Sequence, residues 1–222
     1  MKSPDELDVS LATVLNEIAN DGDIDPSKGI LHHKEGVDLM PANIELSALE
    51  MSLVNAMSRE TILRSYINQV KQNYDYILID CMPSLGILTI NALTAADSVL
   101  IPVQTHYLSA KGMSQLLQTI QRVQKNTNPK LKIEGVLLTM FDKRTNLSKD
   151  ISGAIRYEFG KKIKVFPLEI PMTVRVTETG MEGESIYKLD KNSKAAAAYE
   201  ALTREVLGNE QTKPRNSSAF VR

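Results

Sequence analysis

Asp80 is the residue in this chain best placed to do chemistry. It closes an apolar run, Tyr76-Ile77-Leu78-Ile79, and is followed by Cys81-Met82-Pro83-Ser84-Leu85-Gly86. A short, β-branched run of this kind reads as a strand buried on both faces, as in parallel sheets. A helix-forming stretch, 85–96, and a second apolar run, Ser98-Val99-Leu100-Ile101-Pro102-Val103, come next. Strand, helix and strand in such close succession form a βαβ unit, and ligands of open α/β sheets bind beyond the carboxyl ends of its strands. A carboxylate there can hold a Mg²⁺ or orient one of its waters. A strand that simply ends in a turn-forming Asp has the same appearance.

The other reactive residues offer less. Cys81 is the sole cysteine and has no histidine near it in sequence, so a nucleophilic role lacks its base. His32-His33 invites a metal reading, but adjacent side chains do not converge, and the pair reads as solvated or at the core edge. A phosphate loop would be written G-x-x-x-x-G-K-[ST]. The only Gly-Lys pair is Gly160-Lys161, with Gly153 seven residues before it and Lys162 where the hydroxyl belongs. It follows an amphipathic helix instead of a strand. It reads as a helix C-terminus, with Gly160 in a left-handed turn and the lysines at the negative end of the dipole.

The elements that would position Asp80 alternate along the chain. Helical spacing is present over 8–18, and turn signals over 20–23 and 26–29. A short strand closed by Pro41 is expected over 36–42, then two helical stretches over 46–57 and 58–73. Ser58 is the expected N-cap of the second, with Ile62, Leu63, Tyr66, Ile67 and Val70 as its apolar stripe. Met51, Leu53 and Met57 read as core. Beyond the βαβ unit the pattern predicts a helix over 109–125, a strand over 131–140 and a helix over 147–160. A strand over 165–171, a short helix over 173–179 and a helix over 193–207 complete it. This alternation predicts an α/β fold with a doubly wound, mostly parallel sheet flanked by helices.

Composition agrees with that class. The chain has 222 residues, 42% hydrophobic and 24% charged, with a net charge of −1. Any DNA binding must therefore come from a local basic patch and not from a global field. No run of eighteen apolar residues and no basic, apolar leader occurs, so neither a membrane span nor a signal peptide is expected. One cysteine excludes an internal disulfide and fits a cytoplasmic protein.

The words Ile79-Asp80-Cys81-Met82-Pro83-Ser84-Leu85-Gly86, Ala95-Ala96-Asp97 and Ile101-Pro102-Val103-Gln104 closely resemble the ParA family of deviant-Walker partition ATPases. There they look like IDCPPSLG, AAD and IPVQ. The likeness continues in 112–117 (GMSQLL), 133–141 (IEGVLLTMF), 174–178 (VRVTE) and 183–186 (GESI). It runs in the family's order over roughly residues 36 to 207. The resemblance implies a P-loop NTPase-like fold of the deviant-Walker class with ATP and Mg²⁺ as cofactors. It also implies an ATP-bound dimer that binds DNA non-specifically in the cytoplasm at the nucleoid, regulated by a ParB-like partner.

Carried over residue by residue, it places Asp80, Cys81 and Pro83 at the nucleotide and Mg²⁺, with Asp80 the metal ligand. Met82 departs from the commoner Cys-Pro-Pro and leaves one proline to stiffen the turn. Met140, Phe141, Pro171 and Met172 fall where family members contact adenine. Arg175 matches the arginine of a VRLSEA-like motif implicated in DNA binding. Arg156, Lys161, Lys162 and Lys164 would extend a basic surface around it, with Lys143-Arg144 a further candidate. Family members also carry a KGGVGKTT-like loop and a D-x-D-P-Q-like motif upstream of the segment that 1–18 resembles, and neither occurs here. The expectation is an N-terminally truncated member that lacks the Walker A loop and its sheet strand, and that does not hydrolyse ATP. It would form one ParA-like α/β domain over 1–207 with a polar, disordered tail over 208–222. The alternatives are a non-catalytic dimerisation or DNA-binding paralogue, pairing with itself or with a full-length ParA, and a MinD-like ATPase fragment. The tail lacks the apolar stripe that a membrane-seeking helix of the last kind needs.

Overall fold

The structure is a computed structural model that describes residues 7–23, 25–105, 109–210 and 218–221. The residues group into two compact units. The first comprises 1–98, 119–131 and 216–221, and the second 99–118, 132–215 and 222.

The first unit begins with α1 (Leu11–Ala19), which buries Ala12, Val14 and Leu15. Its first turn is tied down from two sides. The Ser10 backbone N–H donates to Thr13 Oγ1 at 3.2 Å, and the Leu11 N–H donates to the Pro41 carbonyl at 2.8 Å. β1 (Leu31–His33) and β2 (Val37–Leu39) form a small antiparallel hairpin, with His32 opposite Asp38. Asp38 accepts from Tyr74 Oη at 2.9 Å and lies 2.6 Å from His32 Nδ1, and these two bonds, His32 first, hold its carboxyl below the usual range. His32 is exposed and bound to a carboxylate, His33 is half-buried, and no cluster of three or more His, Cys, Asp or Glu side chains occurs among the described residues.

α2 (Glu45–Ser52) passes through a short 3₁₀ turn at Leu53–Asn55 to α3 (Ile62–Val70). All five residues of the expected α3 stripe are buried. The core reading of 51–57 holds for Leu53, 2% exposed, but not for Met51 and Met57, which are 74% and 93% exposed. Nor is Ser58 the cap, since its φ of 53° is left-handed and the N-cap is Thr61, whose side chain makes no capping bond. The cap comes instead from α4 (Ile87–Ala95). Asn91, 2% exposed, accepts the Leu63 N–H on Oδ1 at 3.1 Å and donates from Nδ2 to the Arg59 and Ile87 carbonyls at 2.7 and 3.0 Å. A helix leaves its first N–H groups orphaned, and a partner from another helix satisfies them as well as a local hydroxyl. The far end of α4 is closed in the same way, with Asn128 Nδ2 donating to the Leu93 and Ala96 carbonyls at 3.0 and 2.7 Å.

β3 (Tyr76–Ile79) precedes α4. It is not buried on both faces as expected. Ile77 and Ile79 are half-buried, whereas Tyr76 and Leu78 are 41% and 78% exposed. Successive side chains of a strand point to opposite sides, and only the Ile77/Ile79 side is partly covered within this unit. β3 pairs in parallel with β7 (Ser218–Val221), a strand that falls within the segment expected to be disordered.

In the second unit, β4 (Ser98–Gln104, counted from Val99), β5 (Lys132–Phe141) and β6 (Val165–Pro171) are hydrogen-bonded in that order. β5 and β6 run parallel, with Val136 opposite Val165, Leu138 opposite Glu169 and Phe141 opposite Pro171. Gly135 enters this ladder at φ 151°, and a Cβ there would stand 2.9 Å from both the Lys164 carbonyl and the Phe166 ring. Glycine is needed for that close approach. α9 (Lys194–Glu210) packs on β6, so Leu137, Phe166 and Ile170 meet Ala198, Tyr199, Leu202 and Val206. α5 (Ser109–Asn126), α6 (Asn146–Phe159), α7 (Val174–Glu182) and α8 (Ile186–Asp190) complete the chain.

Two substitutions test this account by urea denaturation. Asn91→Ala strands buried partners on three segments and lowers stability by about 2–3 kcal/mol, with an unchanged slope. Gly135→Ala also lowers the midpoint, whereas Gly153→Ala, in open space on α6, does not.

Candidate functional site

The candidate residues fall into two groups, one in each unit. In the first unit Asp80 stands directly after β3, at its carboxyl end, and is exposed. The loop 80–86 then leads into α4. It is tightened by a bond from the Ser84 N–H to the Met82 carbonyl at 2.7 Å and one from Thr89 Oγ1 to the Ser84 carbonyl at 2.7 Å. Gly86, the extended N-cap of α4, offers no side chain of its own. A Cβ on it would collide with the Glu50 carboxylate of α2, so α2 delivers a second acid to the mouth of this loop. Nothing in the linear sequence marks Glu50, because its place depends on how α2 packs.

Asp80 provides one exposed, hard oxygen ligand. That suits Mg²⁺, which keeps most of its waters and binds through one or two carboxylates. Pro83 is exposed and holds the bend, with Met82 beside it 52% exposed. Cys81 is half-buried, its Sγ 3.9 Å from the Ile79 carbonyl. Burial, reinforced by the nearby Asp80 charge, pushes its thiol up to about 11. The thiolate that nucleophilic chemistry requires is therefore scarce at neutral pH.

In the second unit the structure brings Met140, Phe141, Pro171 and Met172 together where β5 and β6 end. Phe141 lies opposite Pro171, and the Met172 N–H donates to the Phe141 carbonyl at 3.1 Å. Met140 adopts φ 51° and is 49% exposed, and Met172 is 64% exposed. The result is a partly open apolar shelf at the carboxyl ends of two parallel strands, suited to a flat heterocycle.

The basic residues do not form one free patch. Arg156 donates to the Phe166 and Pro167 carbonyls at 2.9 and 3.3 Å and reaches Glu169 at 3.2 Å, which fastens α6 to β6. Lys164 binds Glu205 at 2.8 Å and lies over the Phe166 ring at 4.5 Å. Both are tied to partners within the unit. Arg175, on α7, is exposed but pairs with Glu178 at 2.7 Å. Arg144 forks onto Asp142 at 2.9 and 3.0 Å, and its hydrogen bonds hold that carboxyl at about 2. Lys143 and Lys162 are exposed, as is Lys161, whose ammonium lies 5.1 Å from the Tyr157 ring centre. Gly160 also departs from expectation. Its φ is −61°, and it is glycine because a Cβ would strike the Arg156 carbonyl, not because the turn is left-handed.

Comparison with known proteins follows the same lines. The AAA domain family profile matches residues 3–133. The sporulation initiation inhibitor protein Soj of Bacillus subtilis is 49% identical over 175 residues, 79% of this chain and 68% of that protein. The chromosome partitioning protein ParA of Myxococcus xanthus is 42% identical over 210 residues, 93% of this chain and 72% of that one. The chain belongs to the ParA/Soj family. The ParA/Soj fold is also that of solved structures. Cobyrinic acid a,c-diamide synthase from Mycobacterium smegmatis, with bound ATP analog and magnesium, superposes at a TM-score of 0.80 with 33% identity, covering 97% of this chain and 78% of the other. Cyanothece McdA(D38A) in complex with ATP gives 0.77 at 20% identity, covering 93% and 79%. The predicted P-loop NTPase fold of the deviant-Walker class is thereby established.

Cys81 offers a direct check on the loop. Its alkylation by iodoacetamide at pH 7.5 should be far slower than that of an unfolded peptide. The rate should keep rising beyond pH 9 toward about 11, where a free thiol has levelled off. A plateau near pH 9 would mean that the loop is open.

Proposed function

We propose that this protein acts in chromosome or plasmid partition as a ParA-like DNA-binding component under a ParB-like regulator. The single observation that carries this reading is the likeness to Soj, 49% identity over 175 residues, which spans both groups of candidate residues. In the full-length family, ATP and Mg²⁺ hold a dimer that binds DNA without sequence preference. Asp80 is the residue assigned to the metal, with Cys81 and Pro83 shaping the loop. The shelf of Met140, Phe141, Pro171 and Met172 is assigned to the adenine. Mg²⁺, when bound, would neutralise phosphate charge at this loop.

The 222-residue polypeptide itself is proposed to bind rather than turn over nucleotide. Its one Gly-Lys pair stands at the C-terminus of α6, where the Gly160 N–H is given to the Arg156 carbonyl. No helix among the described residues is long and apolar enough to cross a membrane, and no membrane partner is proposed. Arg175, Lys161 and Lys162 are the proposed phosphate contacts on DNA. Arg156 and Lys164 are left out of that set, because their charges are held by Glu169 and Glu205. The second reading, a non-catalytic paralogue that dimerises with itself or with a full-length ParA, shares this surface and differs only in having no use for nucleotide.

Two measurements separate these readings. Titration with a fluorescent ATP analogue and Mg²⁺ should show binding that Asp80→Ala weakens, with no phosphate release above background. Steady hydrolysis would contradict the binding-only proposal, and no binding at all would favour the paralogue. Affinity for random-sequence DNA should fall steeply with salt. Arg175→Ala should reduce the slope of log K against log[salt] by about 1 for every sequence tested. An unchanged slope would remove Arg175 from the interface.

A further inference from the structure

α6 ends on a surface that the packing of the second unit does not use. Its inner face is fixed: Ile155 and Phe159 are buried, and Arg156 is fastened to β6 through two carbonyls and Glu169. The turn beyond the helix is closed as well. There the Gly160 N–H is given to the Arg156 carbonyl, and the Lys162 and Ile163 N–H groups to the Phe159 carbonyl. Tyr157 stands between these anchors and points outward. It is 78% exposed, so its ring covers almost nothing of the unit. The Lys161 ammonium lies 5.1 Å from the ring centre. A cation of this kind sits over one face of a ring, and at such exposure the other face is open to water. Lys162 and Glu158 are exposed beside them, so the patch of Glu158, Lys161 and Lys162 carries a net charge of only about +1.

We propose that Tyr157, Lys161 and Lys162 form a platform for single-stranded nucleic acid, with an unpaired base stacked on the Tyr157 ring and the lysines on the flanking phosphates. The proposal rests on the reading that Lys161 and Lys162 meet DNA, and goes beyond it in the form of strand recognised. So small a net charge holds phosphate weakly, because the electrostatic gain grows with the number of phosphates neutralised. The ring adds a contribution that does not depend on counterion release. Stacking needs a free π-face, which a duplex hides between its base pairs and an unpaired strand presents at each nucleotide. Every base has such a face, so the preference is for strand form and not for sequence. The ring is also held ready. Its helix is anchored on both sides of it, so little ordering is left for the moment of binding. Lys161 needs only to swing from the ring to a phosphate beside the stacked base.

The test measures binding of labelled oligonucleotides to the full chain by fluorescence anisotropy. The probes are oligo-dT and oligo-U strands of about fifteen nucleotides and a mixed-sequence duplex of the same length. Tyr157→Ala should weaken binding of the single strands by about five- to a hundredfold, and that of the duplex by less than about twofold. A loss confined to one strand type would show whether the platform serves DNA or RNA. Tyr157→Phe, which keeps the ring, should bind single strands like the parent. Because this side chain packs on so little, the urea midpoint should be the same for all three chains. Replacing both lysines, Lys161→Gln with Lys162→Gln, should weaken every probe and lower its salt dependence. A dT strand carrying 5-iodouracil should photo-crosslink to Tyr157, located by mass spectrometry. If the lysine pair matters but Tyr157→Ala binds single strands like the parent, or loses duplex equally, the platform is overturned and the DNA reading stands. If the lysine variant binds like the parent, that reading fails at this patch and the proposal fails with it. A crosslink that forms only elsewhere would overturn the stacking.

Discussion

A strand that is even partly covered must find partners for its backbone amides and carbonyls, and β3 meets that demand from the far end of the chain. Its neighbour β7 supplies a ladder of backbone bonds to the four residues that immediately precede Asp80. The worth of each such bond is modest, but leaving buried groups unpaired costs far more. This asymmetry explains why a polar segment with little apolar content still ends in a strand. It also means that the geometry of the Asp80 loop rests on a pairing between residues very far apart in sequence, a contact whose loop-closure entropy slows its formation.

On its other side the loop is held by α4, and α4 is held by two asparagines. Asn91 caps α3 from within α4, and Asn128 closes the carboxyl end of α4. The buried Asn91 amide contributes through satisfaction rather than strength: its Oδ1 accepts once, its Nδ2 donates twice, and the segments it joins share one arrangement. The helix whose N-terminus faces the loop is thereby fixed by bonds that leave Asp80 free. Glu50, brought against Gly86 by α2, adds negative charge at the loop, where the α4 N-terminus tolerates it.

Charge follows the same economy in the second unit. A segment read as KKIK, with Arg156 upstream, looks like a continuous basic surface. In the fold, two of those cations work inward. Arg156 fastens α6 to β6 through two carbonyls and Glu169, and Lys164 packs on Phe166 while pairing with Glu205. With a net charge of −1, the chain has no general attraction for nucleic acid. Of the cations in that segment, Lys161 and Lys162 are left outward, as is Arg175 on α7, which is paired with Glu178.

Much of this was legible in the residues themselves. The apolar periods of α3, β4, β5, β6 and α9 place these elements to within a few residues, because burial of one face at a fixed spacing is a local property of the chain. The words around Asp80, and their order along the chain, were enough to indicate the family. The sequence could not say that Tyr76 and Leu78 face outward, since an apolar run is the same whichever layer covers it. It could not name Asn91 as the α3 cap in place of Ser58, or separate Arg156 and Lys164 from their free neighbours. Nor could it raise Ser218–Val221 out of a polar tail to stand beside β3. Each of these turns on a partner remote in sequence. Local patterns carry propensity, whereas satisfaction of a hydrogen bond or a charge is decided by what the folded chain brings alongside it.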